Sequence, residues 1–147
     1  MSDISVLKHT FKGDIITPDH ADYKDAIARW AINAERSARV VAFVKDTDDV
    51  ALALKYARSN SLQVAIRCGG HNPCGTSSAQ DGLVIDLSRH LNYAIVDPNK
   101  RTVRVGGGSL WETVENESIK HGLATVAGTV NNVRPLPRDI HFNTYDN

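Results

Sequence analysis

Apolar residues recur along this chain in short blocks, some at helical spacing and some as β-branched runs. Between residues 22 and 34, Tyr23, Ile27, Trp30, Ala31 and Ala34 fall on one helical face. That spacing predicts an amphipathic helix with Trp30 as a packing residue. Residues 39–44 (RVVAFV) read as a strand. Asp46-Thr47-Asp48-Asp49 then supplies an N-cap and an acidic first turn, which suits the positive end of a helix dipole. Val50, Ala53, Leu54 and Ala57 line the face of that helix, and Lys55 and Arg58 stand near its end. Residues 63–67 form the next strand, and Val64-Ala65-Ile66 reads as buried. Strand, helix and strand make a βαβ unit, whose right-handed crossover would set the two strands parallel.

Residues 73–82 are small and polar, a surface loop, and 83–87 (LVIDL) are a strand. Residues 93–97 and 102–105 flank Pro98-Asn99-Lys100, a hairpin with a proline turn. Gly106-Gly107-Gly108 breaks the chain. Ser109 with Glu112 three residues on is a capping-box signature for a helix carrying Leu110, Val114 and Ile119. Gly122 is a fitting stop. The first 20 residues read as a lead-in, and 132–147 as a tail with two prolines and no periodicity.

At the centre lies QVAIRCGGHNPCG, residues 63–75. A strand here feeds a glycine pair, Gly69-Gly70, with Arg67 before it and His71 after. Adjacent glycines permit backbone conformations that a Cβ forbids. Such a turn can aim consecutive N–H groups at one point, a nest for anionic oxygens. It can equally be an ordinary tight loop, and on spacing alone that reading is the commoner one.

Bulk properties narrow the classes. A chain of 147 residues, 41% hydrophobic and 23% charged, fits one soluble domain with a real core. Lys+Arg and Asp+Glu are 17 each, so the basic surplus that nucleic acid or an anionic membrane surface would need is missing. No apolar run approaches a membrane span, and the N-terminus lacks a secretory h-region, which predicts a cytoplasmic protein. The two cysteines, Cys68 and Cys74, could form a disulfide or half a metal site; a reducing compartment favours two thiols.

Known chemical motifs are mostly excluded. VRVGGGSLWE has the strand–glycine–helix context of a dinucleotide fingerprint, but Trp111 stands where glycine or alanine is needed. There is no phosphate-loop GxxxxGK[ST], no HExxH and no GxSxG. The six histidines include no helical i, i+4 pair, so no metal site is expected.

Arg67-Cys68-Gly69-Gly70-His71-Asn72 resembles the R-x-G-G-H-[S/N] loop of the FAD-linked oxidases of the vanillyl-alcohol oxidase and berberine-bridge-enzyme type. GLVIDLSRHLNYAIVDPNKRTVRVGGGSLWETV and HGLATVAGTVN follow in the order of that family's FAD-binding domain. The resemblance covers residues 38–131. It implies an α+β fold, the first subdomain of a PCMH-type FAD-binding domain, with a small mixed sheet, a βαβ start and flanking helices. It implies that Arg67 to Asn72, Gly75, Thr76, Gly128 and Thr129 contact FAD, with the backbone from Cys68 to Asn72 around the pyrophosphate. In many relatives the histidine at the place of His71 is bonded to the flavin 8α-methyl; the alternative is a loop histidine that only hydrogen-bonds. The family's second, cysteinyl tether falls where this chain has Val130, so a cysteinyl link is not expected. Gly106 to Gly108 are as well explained by a strand-to-helix turn, and Asp86 by a structural strand end.

The resulting division is a lead-in with a helix over 1–37, a partial FAD-binding domain over 38–131 and a divergent tail over 132–147. The implied function is the N-terminal FAD-binding portion of a flavin-dependent oxidase acting on a small-molecule substrate, incomplete for catalysis alone. No catalytic residue is assigned. A sheet without its second subdomain predicts exposed apolar surface and self-association. The rival readings are a remnant or partner-binding module without cofactor, and a truncated product.

Overall fold

The computed structural model describes residues 4–126, 128–133 and 139–141. Strands β1 (Asp14–Ile16), β2 (Val40–Phe43), β3 (Val64–Arg67) and β4 (Leu83–Asp86) form one mixed sheet in the order β1-β2-β4-β3. β1 is antiparallel to β2, whereas β2 and β3 are each parallel to β4. The expected βαβ crossover is present, with β4 inserted between its two strands. Helix α3 (Thr47–Ser59) makes that crossover. A second, antiparallel sheet consists of β5 (Ala94–Asp97), β6 (Thr102–Val105) and β7 (Asp139–His141). The expected tail thus supplies a strand. Helix α4 (Trp111–Ile119) packs on this second sheet through Trp111 and Val114, which cluster with Val103.

The two faces of the central sheet carry separate apolar clusters. Val40, Ala42, Val44, Leu83 and Ile85 pack under Ala53 and Ala57 of α3 and under Leu7 of helix α1 (Ile4–Thr10). Val41, Phe43, Val84 and Ala65 form the opposite face with Ile16 and with Ala26 of helix α2 (Tyr23–Ile27). β2 and β4 are buried along their whole length, as central strands with both faces covered must be. β3 corrects the sequence reading: it is an edge strand, and Val64 and Ile66 are 40% and 60% exposed. By register they lie beside Leu83 and Ile85, on the face that α3 covers only over the central strands. Leu54, expected on the packed face of α3, is also exposed.

α3 begins as its sequence implies, with the Asp46 carboxylate accepting from Asp49 N–H at 3.0 Å. Asp49 does more than complement a dipole. It is fully buried and accepts from the N–H groups of Lys12, Gly13 and Lys45 at 2.9, 3.0 and 2.9 Å. One carboxylate thereby ties the entry to β1 to the β2–α3 turn.

Three further expectations are corrected. The helix over 22–34 stops at Ile27 and resumes only as a 3₁₀ turn, Ile32–Ala34. The cause is Arg29, whose Nη1 donates to the carbonyls of Ala26, Ile27 and Ala28 and so terminates α2. Trp30 is consequently turned outward and is 75% exposed. At α4 the capping box is not formed. Ser109 is buried, its hydroxyl donating to Tyr93 O at 2.7 Å. The first N–H groups of α4 donate instead to the carbonyls of Val133 and Asn131, each at 3.0 Å.

Asp49→Ala would leave three partly buried N–H groups without an acceptor. We expect a loss of about 3 kcal/mol or more in denaturant unfolding. Wild-type stability in that variant would show that the tie contributes nothing.

Candidate functional site: an amide cradle after the third strand

The glycine loop leaves the carboxyl end of β3, where ligands bind in sheets with parallel strands. Gly70 has φ +71°, the left-handed region open to glycine at no steric cost. Among the described residues, the backbone N–H groups of Gly69, Gly70, His71 and Asn72 donate to no protein acceptor. Four successive free donors across a left-handed glycine have the composition of an anion nest. Asn72 closes the far side: its Oδ1 accepts from Cys74 N–H at 2.8 Å, and its carbonyl from Gly75 N–H at 3.3 Å.

Two arginines lie beneath the loop. A Cβ built on Gly70 would stand 3.2 Å from Arg67 Nε and 3.3 Å from Arg29 Cδ. Arg67 Nη1 donates to the fully buried Asp86 at 2.7 Å. Asp86 also accepts from the N–H and hydroxyl of Ser88 at 2.8 and 2.6 Å. Arg67 Nε is buried with no partner among the described residues, as are the hydroxyls of Ser77 and Ser78. Arg29 is only 7% exposed, and its Nε and Nη2 donate to Ser77 O at 3.2 and 2.7 Å. Burial, and then the neighbouring Arg67, pull its guanidinium down to about 10, with Asp86 and Glu35 opposing. It therefore stays charged near neutral pH. Unpartnered donors beside the buried Arg29 and the partly buried Arg67 fit an acceptor-rich anion such as a diphosphate.

The other predicted site residues divide. Cys68 is buried and its thiol points at Ser109 O, 3.6 Å away. Gly75 takes φ +79° beside the Ala34 carbonyl, and Thr76 is exposed. Gly128 lies against the Trp111 ring, and Thr129 is exposed beside it. Their segment reaches the cradle through Asn132, whose carbonyl would lie 3.2 Å from a Cβ on Gly69. Asp86 is the structural strand end anticipated for it. Cys68 and Cys74 form no disulfide among the described residues. Among the described residues there is no cluster of potential metal ligands, and no helix is long and apolar enough to cross a membrane.

Sequence reasoning missed the arm that holds the loop. Arg29 grips Ser77, Trp30 N–H donates to Gly70 O at 3.4 Å, and Asn33 Nδ2 donates to Pro73 O at 3.3 Å. The available signal was an arginine inside an otherwise apolar stretch, AIARWAINA. The Trp30 ring stands 6.1 Å from that of His71, tilted by 37°.

The chain is similar in sequence and fold to known proteins. (R)-6-hydroxynicotine oxidase of Paenarthrobacter nicotinovorans is 35% identical over 120 residues, which is 81% of this chain and 26% of the relative. The crystal structure of 6-hydroxy-D-nicotine oxidase from Arthrobacter nicotinovorans superposes with a TM-score of 0.80 at 32% identity, covering 84% of this chain and 27% of that one. Glucooligosaccharide oxidase from Acremonium strictum, studied for its 6-S-cysteinyl, 8α-N1-histidyl FAD, shares the fold with a TM-score of 0.77 at 18% identity, over 88% of this chain and 27% of its own. The chain thus spans about a quarter of the length of these relatives. The family model described as "FAD binding domain" matches residues 38–133, more than half of the sequence, and the chain belongs to that family.

Proposed function

We propose that this chain is the diphosphate-holding portion of a flavin-dependent oxidoreductase, with FAD seated on the loop from Arg67 to Asn72. The observation that carries this is the run of four amides at Gly69 to Asn72 that donate to no acceptor among the described residues. When bound there, FAD supplies two-electron redox chemistry on a small-molecule substrate. The chain's own part is to bind and orient. The cradle amides hold phosphate oxygens, Asp86 fixes the Arg67 guanidinium beneath them, and Arg29 sets the loop's position. Gly128 and Thr129, and Gly75 and Thr76 beyond the turn, flank the coenzyme.

His71 is proposed as a single histidyl tether to the flavin 8α-methyl. Support comes from its place directly after the cradle and from the histidyl FAD of the Acremonium enzyme. Val130 stands where a cysteinyl tether would be needed, so no second link forms. No residue of this site is assigned a role on substrate. We further propose a cytoplasmic setting, in keeping with cysteines that are not joined by a disulfide among the described residues. The bare strip of Val64 and Ile66 on edge strand β3 supports self-association of the isolated chain.

Equilibrium dialysis of the purified chain against FAD is expected to show saturable uptake. Gly70→Val, which forces a β-branched residue into the left-handed region, should weaken uptake at least tenfold. His71→Ala should abolish only the flavin colour that survives acid precipitation. A chain that takes up no FAD would point instead to a remnant fold without cofactor.

For self-association, light scattering should show concentration-dependent dimers or larger species, reduced by Ile66→Glu. A monodisperse monomer at all concentrations would contradict it.

A further inference from the structure

Arg29 and Trp30 invert the usual order of burial. The cation is inside at 7% exposure, while the indole beside it, the largest apolar ring available, is 75% in solvent. Fully buried arginines are rare, and exposed tryptophans give up a large favourable area. The inversion is not slack in the chain. The backbone of this arm is fixed on both sides of Trp30. Arg29 donates to three carbonyls of its own turn and to Ser77 O across the loop. Asn33 reaches Pro73, and Trp30 N–H itself meets Gly70 O. The ring is therefore presented from a clamped backbone, directly beside the cradle.

Among the described residues its ring neighbour is His71, at 6.1 Å between centroids and 37° between planes. That spacing lies within the range of favourable aromatic pairs, and the tilt leaves most of the indole uncovered. A flat heteroaromatic group lying next to His71 would meet the exposed indole.

We propose that Trp30 is a wall of the coenzyme site, packing against the flavin ring where that ring approaches His71. This rests on the placement of FAD on the loop argued above. It makes Trp30 a residue that recognises the ring, separate from the amides and arginines that recognise the diphosphate. The two parts of the ligand should then respond independently to substitution.

The test compares FAD with ADP, which keeps the adenosine and diphosphate and lacks the flavin. Both are titrated by equilibrium dialysis into the full 147-residue chain and its variants. Trp30→Ala is expected to weaken FAD binding about tenfold and to change ADP binding less than twofold. Trp30→Phe should restore FAD binding to within about threefold of wild type. Thermal melting of both variants should match wild type, because the ring makes little of the core. Equal weakening of FAD and ADP would reduce Trp30 to a prop for the loop and overturn the proposal. So would unchanged FAD binding, including the case where the alanine variant differs only in its oligomeric state. Wild-type chain that binds neither ligand would overturn the placement of FAD itself, a result distinct from all of these.

Discussion

Among the described residues, the four consecutive amides from Gly69 to Asn72 find no protein acceptor, and for the buried Gly70 that is uncommon in a folded protein. The fold holds the bend from Gly69 to Asn72 in that state by surrounding it. Arg67 beneath it is pinned by Asp86 at the end of the central strand β4. Arg29 beside it is pinned by the last carbonyls of α2 and grips Ser77 across the loop. The central sheet exists at this point to place the carboxyl ends of β3 and β4 side by side, so that the loop and its counter-ion meet.

Rigidity at the cradle comes from neutral and charged parts with different tasks. The buried Arg29 guanidinium is consumed by protein acceptors, whereas the partly buried Arg67 donates through Nη1 to Asp86 and keeps a buried Nε that has no partner among the described residues. Their charge still acts through the low-dielectric interior. The amides, being uncharged, can contact phosphate oxygens without the desolvation that bare ammonium groups would incur. The bare strip of β3 and the outward Trp30 are the places where this body is unfinished by its own packing, and both adjoin the cradle's strand or loop.

Much of the scaffold was legible in the sequence because local signals and tertiary demands coincide there. Asp46 caps α3 as its type and position imply, and the Pro98-Asn99-Lys100 turn joins β5 to β6. The glycine loop was readable as a turn after a strand, and only its resemblance to the R-x-G-G-H-[S/N] loop separated a cradle from an ordinary bend. What was hidden depended on partners distant in sequence. Arg29 breaks an otherwise continuous helical periodicity because its side chain serves Ser77, 48 positions away. Ser109 has the look of a cap but is taken by Tyr93, and the N-terminus of α4 is satisfied by carbonyls some twenty residues later. β3 reads as a buried strand by composition, and no pattern within it reveals that it stands at an edge. The strand Asp139–His141 lies in a segment whose prolines and polar residues mask its pairing with β6.

The central claim, that the open amides of the bend receive the coenzyme's diphosphate, is tested most directly by amide hydrogen exchange with and without FAD. Slowed exchange is predicted at Gly69, Gly70, His71 and Asn72 on binding, while the ladder amides of β2 and β4 stay unchanged. Bound FAD that leaves those four amides exchanging at their free rates would contradict the account.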